Sequence, residues 1–266
     1  MNLLLNFLLG IGIGCYGTLV GAGGGFLLVP LFLLLYQFPH QMAVGTSLAI
    51  VAFNAFSGAL GYVKDGKVDF RAGITFAVAT VPGAIGGAYL TGMMSGPLFL
   101  RIFGVFLICV SLYLFLRKER KEVVVIHGKR GWGWITRKTQ TAHGEVEYEY
   151  FEPLGLSISV VVGAVSSWLG IGGGILHVPA MTEVLRFPVH VAVATSHFVL
   201  AWTALVGAVM HARAGHWDPT VALSVGAGAV LGAQIGVRFS RQAKGSAILR
   251  YLSLALLLVG LRLLVG

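Results

Sequence analysis

Long apolar stretches dominate the chain. They run over 3–36, 42–63, 72–94, 98–116, 154–185, 189–212, 220–237 and 247–265. Six of them have about 18 to 23 residues, which is enough for one helix, rising about 1.5 Å per residue, to cross a membrane. Only 11% of the 266 residues are charged, against about 25% in an ordinary soluble domain. The sequence therefore predicts an all-α polytopic membrane protein. It excludes a soluble enzyme, a disordered chain and a nucleic-acid-binding domain.

The first apolar stretch of each half is longer than the others and is broken by glycines. The run Gly21-Ala-Gly-Gly-Gly25 lies in 3–36, and Gly170-Ile-Gly-Gly-Gly174 lies in 154–185. Interrupted backbone inside a membrane is tolerated only where packed protein or a polar cavity surrounds it. Each of these stretches is predicted to be a helix–turn–helix hairpin, either two short crossings or a re-entrant pair.

The two halves of the chain are internal repeats. A shift of 149 residues places the glycine run, Val29-Pro30, Phe38-Pro39 and Thr46-Ser47 on identical residues of the second half. Aligning 7–116 with 156–265 without gaps gives 31 identities in 110 positions. A repeat of this size predicts two structural units of the same design.

The positions of the basic residues predict how the repeats lie in the membrane. The segment 117–153 holds 8 of the 19 Lys and Arg residues and is expected on the cytoplasmic side. Loop 63–71 is rich in Lys and Arg, whereas its counterpart 212–219 holds a single Arg. Equivalent loops therefore lie on opposite sides, which predicts two repeats of inverted topology with both chain termini outside.

The predicted organisation is membrane repeat 1 over 1–116, a cytoplasmic linker over 117–153 and membrane repeat 2 over 154–266. The linker ends in the alternating run 145–152, which favours a β-strand. The apolar run 123–126 is a candidate partner strand. The linker is either a small β-hairpin or a solvated connector.

Each half contains a G-x-G-G-G-x-x-x-V-P run, then F-P about eight residues later and then T-S. This doubled pattern resembles the TauE/SafE family of membrane permeases, the sulfite exporters, over essentially the whole chain outside 117–153. The resemblance implies a secondary carrier, without an ATP-binding domain, for a small anion such as sulfite or an organosulfonate.

The glycine turns are the first candidates for anion binding. Each turn opens a short helix, over 26–36 or 175–185, whose N-terminus carries free N–H groups and partial positive charge. With inverted repeats, two such N-termini could face one anion from opposite sides. Close helix packing is the alternative explanation for the glycines. The predicted turn residues are Gly23, Gly24, Gly25, Gly172, Gly173 and Gly174.

Polar side chains within the apolar spans form the second set of substrate-binding candidates. Hydroxyl groups can donate to sulfonate oxygens without adding buried charge, although they can also bond back to a helix carbonyl. His197 breaks the repeat symmetry, since its counterpart is Leu48, and it could exchange a coupling proton. The set is Thr46, Ser47, Asn54, His177, Thr195, Ser196, His197 and Gln234.

Arg101 and Arg250 are repeat-related cations a few residues inside their predicted helices. They are either gating or anion-attracting charges, or side chains that extend to the membrane interface. The small-residue faces Gly83-x-x-x-Gly87 and Gly232-x-x-x-Gly236 could pack helices within the chain or between the protomers of a homodimer.

The sequence contains no motif for a nucleophile, a metal or a cofactor, so we expect no catalytic residue and no cofactor. The expected function is alternating-access transport of a small oxyanion across the cell membrane. The partners are the anionic substrate, the lipid bilayer and a coupling proton, and no nucleic acid. The alternatives are a carrier or channel for a carboxylate or a cation and, on weaker grounds, an intramembrane enzyme.

Overall fold

The computed structural model describes residues 2–116, 131–141, 144–240 and 246–265. Ten α-helices form most of this part: α1 Leu3–Val20, α2 Gly25–Leu34, α3 His40–Lys64, α4 Phe70–Met93, α5 Gly96–Leu116, α6 Glu152–Leu169, α7 Gly174–Pro179, α8 Val189–Arg213, α9 Pro219–Ser240 and α10 Ser246–Val265. A π-helical turn, Ala180–Val184, continues α7. Within the described ranges, α1, α3, α4, α5, α6, α8 and α9 are long and apolar enough to cross a membrane. The prediction of an all-α polytopic membrane protein is confirmed.

The main helix contacts join the first half of the chain to the second. Helix α1 lies along α9, and their counterparts α6 and α4 lie along each other in the same way. Helices α3 and α8 contact each other, as do α5 and α10. Under the 149-residue shift, each of these helix pairs corresponds to another pair or to itself. The contacts between the two halves are therefore symmetric.

The small-residue faces serve helix pairs within the chain. An alanine Cβ at Gly87 would lie 2.9 Å from the Trp168 nitrogen on α6, and one at Gly232 would lie 2.7 Å from the Cys15 nitrogen on α1. At these distances a methyl group overlaps backbone. Glycine therefore lets α4 approach α6 and α9 approach α1, which assigns these faces to contacts inside one chain.

Both glycine runs form sharp turns, as predicted. Helix α1 ends at Gly21, and Gly21, Gly23 and Gly24 all have φ between 73° and 84°. The second turn repeats this geometry, with φ between 73° and 84° at Gly170, Gly172 and Gly173. Side chains with a Cβ rarely adopt this conformation, so the run can reverse the chain only as glycine. The turns begin α2 at Gly25 and α7 at Gly174.

The linker contains a two-stranded antiparallel hairpin. Strand β2, Gly144–Phe151, pairs with β1, Trp134–Thr141. The partner of the strand over 145–152 is therefore 134–141, while the predicted partner 123–126 lies outside the described residues.

The linker hairpin is anchored on the membrane domain by Asp69. This residue caps α4 by accepting from the Ala72 N–H. Its Oδ2 atom also accepts from the Tyr148 hydroxyl at 2.7 Å and from Arg137 Nε at 3.1 Å. The hydrogen bond to Asp69 raises the pKa of Arg137, and burial together with Asp69 raises the pKa of Tyr148.

Aromatic packing completes the anchor. The Tyr148 and Tyr150 rings lie 4.9 and 4.8 Å from the Phe187 ring, in the loop between the π-helical turn and α8. The β-hairpin of the linker therefore covers the end of the second helix–turn–helix hairpin.

Candidate functional site

The two glycine turns touch each other by their backbones. A Cβ at Gly25 would lie 2.6 Å from the carbonyl oxygen of Gly170, and a Cβ at Gly174 would lie 2.8 Å from the Cα of Ala22. Since Gly25 and Gly174 are repeat counterparts, each turn presents its helix start to the other turn. Only glycine allows two backbones to approach this closely.

Helices α3 and α8 hold both turns at their midpoints. A Cβ at Gly23 would lie 2.5 Å from Leu200 Cδ2 and 3.0 Å from Val51 Cγ1. A Cβ at Gly172 would lie 2.6 Å from Val51 Cγ1 and 2.9 Å from Leu200 Cδ1. Val51 and Leu200 are themselves repeat counterparts and are buried. The turns are thus enclosed by one pair of apolar side chains and are closed to solvent.

Each turn leaves backbone N–H groups without an intrahelical partner. The first bonds to Gly24 O in α2 come from Leu27 and Leu28, at 3.0 and 3.1 Å. In α7 the equivalent bonds to Gly173 O come from Leu176 and His177, at 3.0 and 2.9 Å. The N–H groups of the residues just before these donors have no carbonyl acceptor within the helix, and they carry the partial positive charge of a helix N-terminus.

Four buried polar side chains on α6 and α8, the helices that adjoin the turns, have no hydrogen-bond partner among the described residues. Neither nitrogen of His197 and none of the hydroxyls of Ser166, Ser167 and Ser196 finds one among the described residues. All four side chains are fully buried. A buried polar group left unsatisfied costs about 1–3 kcal/mol. A polar ligand at the turns would offset that cost, which marks these groups as candidate ligand contacts.

The other predicted polar residues beside the turns already have partners. The Ser47 hydroxyl donates to Gly170 O at 2.8 Å, which ties α3 to the second turn. The Asn54 amide donates to Gly23 O at 3.2 Å, and the Thr18 hydroxyl donates to the Asn54 side-chain oxygen at 3.1 Å. These three side chains shape the turns.

Thr46 bonds to the loop just before α9, and Thr195 bonds to the loop just before α4. The Asp218 N–H donates to Thr46 Oγ1 at 2.9 Å, and the Asp69 N–H donates to Thr195 Oγ1 at 3.0 Å. Each bond joins one half of the chain to the other. The hydroxyl oxygens of both threonines, which the sequence predicts to contact the anion, therefore already accept hydrogen bonds from backbone N–H groups.

Two candidates lie away from the turns. His177 is buried against α6, where its Nε2 atom lies 3.2 Å from the Ser159 hydroxyl. Gln234, expected to be buried, is exposed on α9. Its amide donates to the carbonyl oxygen and the hydroxyl of Ser57 at 2.6 and 2.9 Å. That position favours a role in joining α9 to α3.

The arginine pair does not reach the turns in the part that is described. Arg101 is exposed on α5, the position expected of a side chain that extends to the interface. Arg250 belongs to α10, but its side chain lies outside the described residues. The site near the turns is therefore built from neutral groups among the described residues.

Sequence reasoning missed Ser166 and Ser167. Ser167 is the repeat counterpart of Thr18, and both precede the first glycine of their turn by three residues. A small hydroxyl residue at the same offset in each half was the available signal.

A family model described as "Sulfite exporter TauE/SafE" matches residues 6–263. The chain belongs to the TauE/SafE family. It is 35% identical to the probable membrane transporter protein YunE of Bacillus subtilis, over 99% of this chain and 98% of that protein. It is 27% identical to the probable membrane transporter protein YdhB of the same organism, over 90% and 89% of the two chains. No solved structure matches the chain.

The similarity extends to a protein of a second organism. The chain is 25% identical to the probable membrane transporter protein MJ0441 of Methanocaldococcus jannaschii, over 90% of this chain and 88% of that protein. Membership confirms the family resemblance and the prediction of a multi-pass membrane transporter rather than an enzyme. The anion carried by this TauE/SafE protein stays a prediction.

Proposed function

We propose that this TauE/SafE protein is a secondary permease that carries a small oxyanion, such as sulfite or an organosulfonate, across the cell membrane. The anion binds where the two glycine turns meet. The observation that supports this most strongly is that free backbone N–H groups at the turns lie next to helices α6 and α8, which carry four unpartnered, fully buried polar side chains. Donors of this kind suit the oxygen atoms of a small anion.

The electrostatics of the site favour an anion over a cation. Asp69 is the acidic side chain found among the buried polar residues of the described part, and its carboxylate is occupied by Arg137 and Tyr148. The turns present N–H groups, hydroxyls and an imidazole, with no carboxylate beside them among the described residues. A cation would find few acceptors there, whereas an anion would find a ring of donors.

The symmetry of the contacts supports a proposal of alternating access. Inverted repeats let a transporter open to either side by moving one set of contacts or its counterpart around a fixed central site. The helix pairs of this protein are exchanged by the 149-residue shift, and the reversed loop charges support opposite orientations. The buried turns correspond to a closed state between the two open ones.

The direct test is flux in proteoliposomes. Purified protein is reconstituted, and uptake of radiolabelled sulfite, methanesulfonate, acetate and sodium is measured against protein-free liposomes. We expect saturable uptake of sulfite or methanesulfonate, weaker acetate uptake and no sodium uptake. Saturable sodium flux without anion flux, or no flux of any of the four, would contradict the proposal.

A further inference from the structure

His197 is a buried polar side chain whose counterpart in the other half is apolar. It lies on α8 and is fully buried, and neither ring nitrogen has a hydrogen-bond partner among the described residues. Its repeat counterpart, Leu48, is apolar and equally buried. The site therefore has one imidazole on one side and a hydrocarbon side chain on the other, in an otherwise matched frame.

The surrounding backbone makes room for this ring. A Cβ at Gly58 would lie 2.5 Å from His197 Nε2, just as a Cβ at Gly207 would lie 3.0 Å from Leu48 Cδ1. The Tyr62 ring faces the imidazole edge-on, with the ring centres 5.7 Å apart. The missing side chain at Gly58 therefore lets the imidazole pack against α3, close to the first turn.

The neighbours of His197 supply no charge. Helix α1 contributes Thr18 near Gly58, and Tyr62 of α3 is the titratable side chain that faces the ring. The Tyr62 hydroxyl donates to Thr18 O at 2.9 Å. The backbone carbonyl groups of Asn54 and Gly21 face the ring nitrogens as weak acceptors, outside the geometry of a full hydrogen bond. With no carboxylate against it in the described part, an imidazolium here would have to take its counter-charge from a bound anion.

We propose that His197 carries a proton that is transported together with the anion, an inference that rests on the proposed function. The neutral imidazole takes up one proton as one monovalent anion binds at the turns, and it releases that proton on the side where the anion leaves. The proton passes from water on the side of entry to a ring nitrogen, and from that nitrogen to water on the side of exit, so the moving unit has zero net charge. Binding of the anion and of the proton strengthen each other by the same factor, because coupling is reciprocal.

The test uses proteoliposomes loaded with a pH-sensitive dye, with radiolabelled methanesulfonate as the probe. An inside-alkaline pH difference of one unit should drive about tenfold accumulation at one proton per anion. Internal acidification should accompany uptake. A potassium diffusion potential set with valinomycin should leave accumulation unchanged, because the loaded carrier moves no net charge.

The variant H197Q keeps hydrogen-bonding capacity but cannot be protonated. We expect it to lose accumulation and internal acidification, while it still exchanges labelled for unlabelled methanesulfonate at equal pH. H197L, which copies the counterpart Leu48, should lose accumulation in the same way. The matched control is H190Q, on the same helix and exposed, which should behave as the wild type.

Three outcomes would overturn the proton role. One is accumulation by H197Q at the wild-type level. A second is loss of exchange together with accumulation, which would leave His197 a part of the binding frame only. A third is wild-type uptake driven by the membrane potential and insensitive to pH. Wild-type protein that carries neither methanesulfonate nor sulfite would contradict the proposed function itself, and this inference with it.

Discussion

The backbone contact between the turns can be tested with a single methyl group. In G25A the new Cβ would lie 2.6 Å from Gly170 O, which is 0.8 Å inside the 3.4 Å at which ordinary contact begins. Gly25 and its counterpart Gly174 have no positive φ, so alanine adds volume there without forcing a forbidden backbone conformation. The turns must separate by about 1 Å to accept it, and overpacking of this kind costs about 1–3 kcal/mol.

In the proposed cycle that cost falls on the closed state, which lies between the two open states. Raising its free energy by about 2 kcal/mol slows transport roughly 30-fold. We expect G25A and G174A to show this loss in initial rates of methanesulfonate uptake, measured at equal amounts of reconstituted, monodisperse protein. Their thermal unfolding temperatures in detergent should fall as well.

The control is G86A, in the middle of α4, where a Cβ would meet nothing within 4 Å. Alanine there should stabilise the helix by up to about 1 kcal/mol and leave transport unchanged. Wild-type rates in G25A and G174A would refute the idea that contact between the turns belongs to the transport cycle. Equal losses in all three variants would show that the effect is not specific to the turns.

Three further predictions concern other parts of the molecule. S196A removes a hydroxyl without a partner, so it should leave the unfolding temperature unchanged and weaken stabilisation by methanesulfonate about fivefold. S47A should instead lower the unfolding temperature, because it breaks the hydrogen bond to Gly170 O at a cost of about 1 kcal/mol. Equal behaviour of the two variants would contradict the distinction between them. The linker hairpin should stay docked up to about pH 9 and loosen as the pH rises past about 10. The pKa of Tyr148 is raised in the docked state, so this state loses its advantage once the pH passes the pKa of a solvent-exposed tyrosine, about 10. Limited proteolysis at several pH values measures the loosening, and Y148F should be cut readily at neutral pH. In a protein with Cys15 and Cys109 replaced by serine, K64C and its repeat counterpart R213C should react with an impermeant maleimide from opposite sides of the membrane, and labelling from one side would rule out inverted repeats.

The sequence predicted the frame of the fold because its signals are local. Glycine runs, apolar lengths and loop charges act within a few residues, and the turns at Gly21–Gly25 and Gly170–Gly174 formed where expected. Partners from the other half were harder to foresee. Thr46 accepts from Asp218 and Thr195 from Asp69, contacts across more than 120 residues that local spacing does not reveal.

The surroundings of the polar residues were also difficult to predict from their neighbours in the chain. Gln234 looked buried because its neighbours in the chain are apolar, but an apolar neighbourhood in a membrane helix can also face lipid. Ser166 and Ser167 carry only a weak sequence signal, because hydroxyls in a helix often bond to their own backbone. Their lack of such partners is a property of the packed structure alone.

The most direct test of the central claim is a crystal structure of the protein soaked with selenite, an analogue of sulfite whose selenium atom scatters anomalously. We predict an anomalous peak between the glycine turns, within hydrogen-bond distance of the Gly24 and Gly25 N–H groups and of Ser196 or His197. A peak elsewhere along the chain, in a protein that transports selenite, would contradict the placement of the anion at the turns.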